Sequence, residues 1–132
     1  MSQLTLAPFT PTDTAGSAAE LAIRVIDAYE DLQGALPLET LLRRSEPLAR
    51  RTTLRVGGPA DIFVEPDSEH ALRTVLEICS QTGVPLFVLG RGSNLLVRDG
   101  GIRGVVVSLA HTAFSAVEVQ DGHLQAGAGA KL

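Results

Sequence analysis

The stretch of this 132-residue chain best suited to chemistry is Leu89-Gly90-Arg91-Gly92-Ser93-Asn94-Leu95-Leu96-Val97. An apolar run of strand length delivers the chain into Gly-Arg-Gly-Ser-Asn, and an apolar run leaves it. Gly90 and Gly92 permit positive φ and let a ligand approach the backbone where a Cβ would stand in the way. Successive N–H groups in such a turn form a concave anion site, and Ser93 and Asn94 add side-chain donors. A phosphate or pyrophosphate is the natural guest. Two familiar phosphate motifs do not fit. A P-loop requires Lys followed by Ser or Thr after its last glycine, and a dinucleotide fingerprint requires glycine where Leu95 stands, followed by a helix. By spacing alone, a simple tight turn explains the loop equally well.

A second cluster, Ala126-Gly127-Ala128-Gly129, reads either as a bulge or close backbone contact or as another wall for the same ligand. Gly57-Gly58-Pro59 reads as a turn, and 99–104 as a turn-rich connector. Arg91 can pair with a phosphate or simply face solvent. His70, His111 and His123 stand alone, without acidic or cysteine neighbours at ligand spacing, so none is assigned to catalysis or metal. Cys79 falls on an apolar helical stripe and reads as an inert buried thiol. No Ser-His-Asp or paired-carboxylate arrangement emerges, so no catalytic residue is assigned.

These loops need a scaffold, and the pattern supplies one. Residues 1–16 hold prolines and threonines without a period, which reads as a mobile tail or as an arm that orders only on another surface. Ser17 with Glu20 has capping-box spacing, and Leu21, Val25, Ala28, Tyr29 and Leu32 recur at helical intervals up to Gly34 and Pro37. A short helical turn is expected at 38–43. This helix reads as an amphipathic cover for a core other than its own or, less simply, as a partner-docking element. A boundary is placed near 45–47, beyond which strand and helix alternate. A strand is expected at 61–65, then a helix capped by Asp67 or Ser68 with Leu72, Val75, Leu76 and Cys79 on its apolar face, ended by Gly83 and Pro85. Leu86 to Leu89 reads as a strand buried on both faces, with 95–97 and 105–107 continuing the sheet. Asp121-Gly122 marks a two-residue hairpin between 116–120 and 123–126. The order β-α-β-β followed by a hairpin gives an α/β or α+β domain.

Composition narrows the function. Aromatics are 4% with no tryptophan, so stacking platforms for single-stranded nucleic acid are not expected. A net charge of −4 argues against duplex binding. A single cysteine excludes an internal disulfide framework. No apolar run approaches the ~20 residues of a membrane span, and the N-terminus lacks signal-peptide order. The expectation is a cytoplasmic protein without nucleic-acid or membrane partners.

Thr52-Thr53-Leu54-Arg55-Val56-Gly57-Gly58-Pro59-Ala60, Val64-Glu65-Pro66, the loop from Leu89 to Val97 and Ala126 to Gly129 occur in that order. Together they resemble the N-terminal flavin-binding part of the UDP-N-acetylenolpyruvoylglucosamine reductases, also called UDP-N-acetylmuramate dehydrogenases. The resemblance covers 47–132, and residues 1–45 have no counterpart in it. It implies an α+β FAD-binding fold of the vanillyl-alcohol-oxidase (PCMH) type. A helical extension (1–45) would precede the N-terminal part of the FAD-binding domain (46–132). That part would comprise a first subdomain (46–109) and the start of a second (110–132). By resemblance, Gly90, Arg91, Gly92, Ser93, Asn94 and Leu95 hold the FAD pyrophosphate, and Ala126, Gly127, Ala128 and Gly129 also line the cofactor. NADPH would be co-substrate and an enolpyruvyl UDP-sugar the substrate, in peptidoglycan synthesis. No segment matches the arginine, glutamate and serine motifs of that chemistry. The chain is therefore expected to be a fragment, weak or deficient in FAD binding and unable to oxidise NADPH. The alternative is a non-catalytic nucleotide- or flavin-binding module.

Overall fold

The computed structural model describes residues 17–53, 55–89 and 97–130. Helix α1 (Ala18–Ala35) is followed by strands β1 (Leu41–Pro47) and β2 (Pro59–Glu65), helix α2 (Glu69–Thr82), then β3 (Leu86–Leu89) and β4 (Ile102–Ser108). A hairpin of β5 (Val117–Gln120) and β6 (His123–Ala126) completes the order. The first four strands form one sheet in the order β1-β2-β4-β3. Strand β1 runs antiparallel to β2, whereas β2 and β3 each run parallel to β4.

Alternation along the two central strands divides the core. Ile62 and Val64 of β2, with Val105 and Val107 of β4, face a layer made by Val25, Ala28 and Leu32 of α1 and Ala71, Val75, Ile78 and Cys79 of α2. The intervening Phe63 and Val106 point to the other face, as does Ala60 beyond the register shift between Ala60 and Ile62, and there they meet Leu48, Leu89 and Val97. The parallel strand β4 is buried on both faces, as an uninterrupted Val-Val-Val run requires.

Both helices start where their caps predict. Ser17 Oγ accepts the Glu20 N–H at 3.3 Å, and Ser68 Oγ accepts the Ala71 N–H at 3.1 Å. Gly83 ends α2, and its carbonyl receives Arg24 Nη1 of α1 at 3.2 Å, tying the two helices together. In the hairpin, Asp121 (φ 50°) and Gly122 (φ 76°) both take the left-handed conformation that a type I′ turn demands.

Five expectations are revised. Of the helical turn expected at 38–43, residues 38–40 do turn, with the Thr40 N–H donating to the Pro37 carbonyl at 3.0 Å, but 41–43 open β1, because pairing with β2 satisfies that backbone and splits its side chains between two faces. Leu42 packs on the helical side and Leu41 on the other, a period of two. The division expected at 45/46 consequently falls inside a strand, and α1 shares the main core rather than covering another protein's. Strand β3 was expected to be buried on both faces, yet it is an edge of the sheet and Val88 is 41% exposed. Val97 is buried but lies outside any strand, and residues 95 and 96 fall outside the described ones, as do 1–16.

Cys79 is buried against both helices, and burial pushes its thiol from 9.0 up to about 12. The folded chain therefore keeps a proton that the unfolded chain releases, so this thiol's share of stability is intact below pH 9.0 and declines as pH rises toward 12. A disulfide reagent at neutral pH is expected to modify Cys79 only as fast as the chain unfolds. Rapid modification of the folded protein would contradict the placement.

Candidate functional site

Gly90, Arg91, Gly92, Ser93, Asn94 and Leu95 lie outside the described residues, and the structure defines what flanks them. Leu89 pairs with Ser108 at the C-terminal ends of the parallel strands β3 and β4. Its carbonyl accepts the Leu109 N–H at 3.3 Å. The Leu109 carbonyl in turn lies against Gly129, so closely that a Cβ there would overlap it. Three segments thus meet at one corner: the residue before the glycine loop, the end of β4 and the second glycine cluster. Ligands of open α/β sheets gather beyond the carboxyl ends of strands, which is where this corner lies.

The second cluster forms a turn whose hydrogen bonds are mostly internal. Gly127 N–H donates to the Ala116 carbonyl at 2.8 Å, Gly129 N–H to Phe114 at 2.9 Å and Ala130 N–H to Gly127 at 3.0 Å. A Cβ at Gly127 would overlap the Phe114 carbonyl, so close backbone approach accounts for both glycines. Ala128 stands exposed at the tip, and no acceptor among the described residues takes its N–H. Leu89, Ser108, Leu109 and Ala128 put no formal charge at this corner, a setting compatible with an anion.

The opposite end of the sheet holds what spacing did not reveal. Gly58 N–H and Gly101 N–H both donate to the Arg98 carbonyl at 2.9 Å, and the Leu48 N–H donates to the Gly58 carbonyl at 3.1 Å. Gly57-Gly58 is therefore a clamp on the chain returning to β4, beyond the plain turn its sequence suggests. The connector 99–104 is fixed by Asp61, whose Oδ1 lies 3.1 Å from Arg103 Nη1 and whose Oδ2 accepts the Gly104 N–H at 3.0 Å. Arg103 Nη2 also donates to the carbonyls of Gly100 (2.8 Å) and Pro59 (3.3 Å).

The histidines remain apart. His111 Nδ1 accepts the Ala113 N–H at 3.0 Å and caps a single 3₁₀ turn, and His123 lies on the exposed hairpin. Among the described residues no three His, Cys, Asp or Glu side chains gather as metal ligands. None of the described helices is long and apolar enough to cross a membrane.

Residues 60–132 match the family described as FAD binding domain, which is more than half of the chain. The protein belongs to this FAD-binding family, and its mixed helix-and-sheet architecture is the α+β fold of the vanillyl-alcohol-oxidase (PCMH) type. Among curated proteins it is similar to the UDP-N-acetylenolpyruvoylglucosamine reductase of Clostridioides difficile, with 42% identity over 106 residues, 80% of this chain and 34% of that relative. The reductase of the same name from Pelobacter propionicus is 47% identical over 97 residues, covering 73% of this chain and 32% of the relative. That of Geobacter metallireducens is 52% identical over 84 residues, 64% of this chain and 27% of its own. The chain spans about a third of the length of the first two of these relatives. The resemblance carried by the four motifs is borne out at the level of the family.

Proposed function

We propose that this chain is the FAD-holding part of an NADPH-dependent reductase that converts UDP-N-acetylglucosamine enolpyruvate to UDP-N-acetylmuramate, a step of peptidoglycan synthesis in the cytoplasm. The observation that carries the reading is the contiguity of Leu89, Leu109 and Gly129, which joins the start of one glycine segment to the other. Gly90 to Leu95 are assigned to the pyrophosphate, chiefly through backbone N–H groups, with the Ala128 N–H as a further donor from the facing turn. Gly127 and Gly129 act by letting that turn approach the end of β4. Bound FAD supplies the capacity to accept and pass on hydride, and the polypeptide supplies position and electrostatics.

The buried anchors serve this purpose. Leu89 and Val97 both sit in the core cluster with Phe63 and Val106, so the ends of the glycine segment are held by a rigid sheet.

The test is a chimera in which residues 47–132 replace the matching segment of the Clostridioides difficile reductase. Flavin absorbance and NADPH oxidation dependent on the enolpyruvyl UDP-sugar are the expected results. A soluble, folded chimera that takes up no flavin would overturn the proposal.

A further inference from the structure

The end of the sheet opposite the glycine corner concentrates positive charge. Arg50, Arg51, Arg55 and Arg98 in the segments that precede β2 and β4, together with Arg103 at the start of β4, are five of the chain's eleven basic residues, although its net charge is −4. Two are committed. Arg51 donates from Nε and Nη2 to Glu46 Oε1 at 3.3 and 3.2 Å, and its guanidinium stacks 4.5 Å from the Phe63 ring centre. Arg103 is held by Asp61. Arg50 and Arg55 are exposed, and no described carboxylate pairs with either. They line an open cleft of about 760 Å³ with Arg51, Thr52 and Thr53, and among the described residues no acidic one contributes to its wall.

Hydrogen bonds tie down several of the described residues around them. Arg51 N–H donates to the Leu48 carbonyl at 2.8 Å and Arg55 N–H to Thr52 at 3.2 Å. Thr52 is buried, and its Oγ1 donates to the Val56 carbonyl at 3.2 Å. Arg55 is held at φ 54°, a left-handed conformation in which glycine or asparagine would be less strained. Strain of this kind persists where the surroundings enforce it, and it concentrates at ligand sites. Guanidinium forks such as those of Arg50 and Arg55 suit the oxygen geometry of phosphate.

We propose that this cleft binds a phosphate ester or pyrophosphate through Arg50 and Arg55, with the Thr53 hydroxyl as an additional donor. Two sources supply that chemistry: the pyrophosphate of FAD, or the phosphate of a second nucleotide. The seven residues of β4 span about 20 Å, so one pyrophosphate cannot touch both this cleft and the Leu109 corner. The geometry favours the second nucleotide.

Inorganic pyrophosphate titrated into the full chain, followed through the arginine Nε–Hε resonances, tests the assignment. Saturable shifts at Arg50 and Arg55 are expected, with affinity lowered at least about tenfold in the Arg50→Ala/Arg55→Gly double variant. Glycine at 55 relieves the positive φ, so the variant should melt no lower than the parent. Arg50→Gln, an exposed change, provides a second variant with a smaller loss. Repeating the titration with FAD present separates the sources: pyrophosphate that still binds identifies a second nucleotide, and pyrophosphate displaced by FAD identifies the flavin's own group. Shifts that never saturate, or equal affinity in parent and variants, overturn the site. No flavin is needed for the first readout, so its failure leaves the FAD assignment standing.

Discussion

Replacing Gly101 with alanine is expected to lower the stability of the fold by about 3 kcal/mol. Gly101 sits at φ 75°, where a side chain costs roughly 1–2 kcal/mol. A Cβ there would also overlap the Pro59 carbonyl oxygen and crowd the Pro59 nitrogen at 2.8 Å. Backbone cannot move aside as a flexible side chain can, and such overpacking adds roughly 1–3 kcal/mol. The strain would fall where β2 begins, beside the Arg98 carbonyl that holds both Gly58 and Gly101. The neighbouring Gly100 provides the control, since a Cβ there meets nothing within 4 Å and its φ is not positive. Gly100→Ala should therefore stay within about 0.5 kcal/mol of the parent. Urea denaturation followed by circular dichroism distinguishes the two, and matching midpoints for both variants would refute the packing account.

On the proposed assignment, Gly92→Val should weaken FAD binding by about a hundredfold, close to 3 kcal/mol, while the sheet stays folded. A branched Cβ obstructs the approach of a pyrophosphate to the backbone and disfavours positive φ. The fold should tolerate the change, because the flanking anchors Leu89 and Val97 pack in a core with Leu48, Phe63 and Val106. The check is a pair of measurements on one sample, a melting temperature and an FAD titration. Parent-like affinity together with parent-like melting would place the cradle elsewhere.

Much of the scaffold was legible because its signals are local. Ser17 and Ser68 announce their helices by hydrogen bonds within three residues, and Asp121-Gly122 specifies its hairpin through two φ angles. Strand β1 was not legible. Leu41-Leu42-Arg43-Arg44 has no helical or strand preference strong enough to decide, and its conformation follows from β2, more than fifteen residues later. The roles of Gly58 and Gly101 were hidden for a similar reason, since each is defined by a carbonyl about forty residues away. The glycine loop was readable as a candidate anion site from residue types alone. The arginine cleft was not, because Arg50 and Arg55 become neighbours only when the loop folds around a buried Thr52 and a left-handed arginine.

The glycine corner is the centre of the account, and mapping FAD onto individual backbone amides tests it most directly. The experiment titrates FAD, up to millimolar concentration, into the ¹⁵N-labelled chain, a 13.9 kDa protein well suited to such spectra, and detects even weak binding. Saturable shifts confined to the amides of Gly90 to Leu95, Ala128 and their immediate neighbours are the predicted result. Shifts that never saturate, or that centre on α1 and α2 with the glycine segments unmoved, would contradict it.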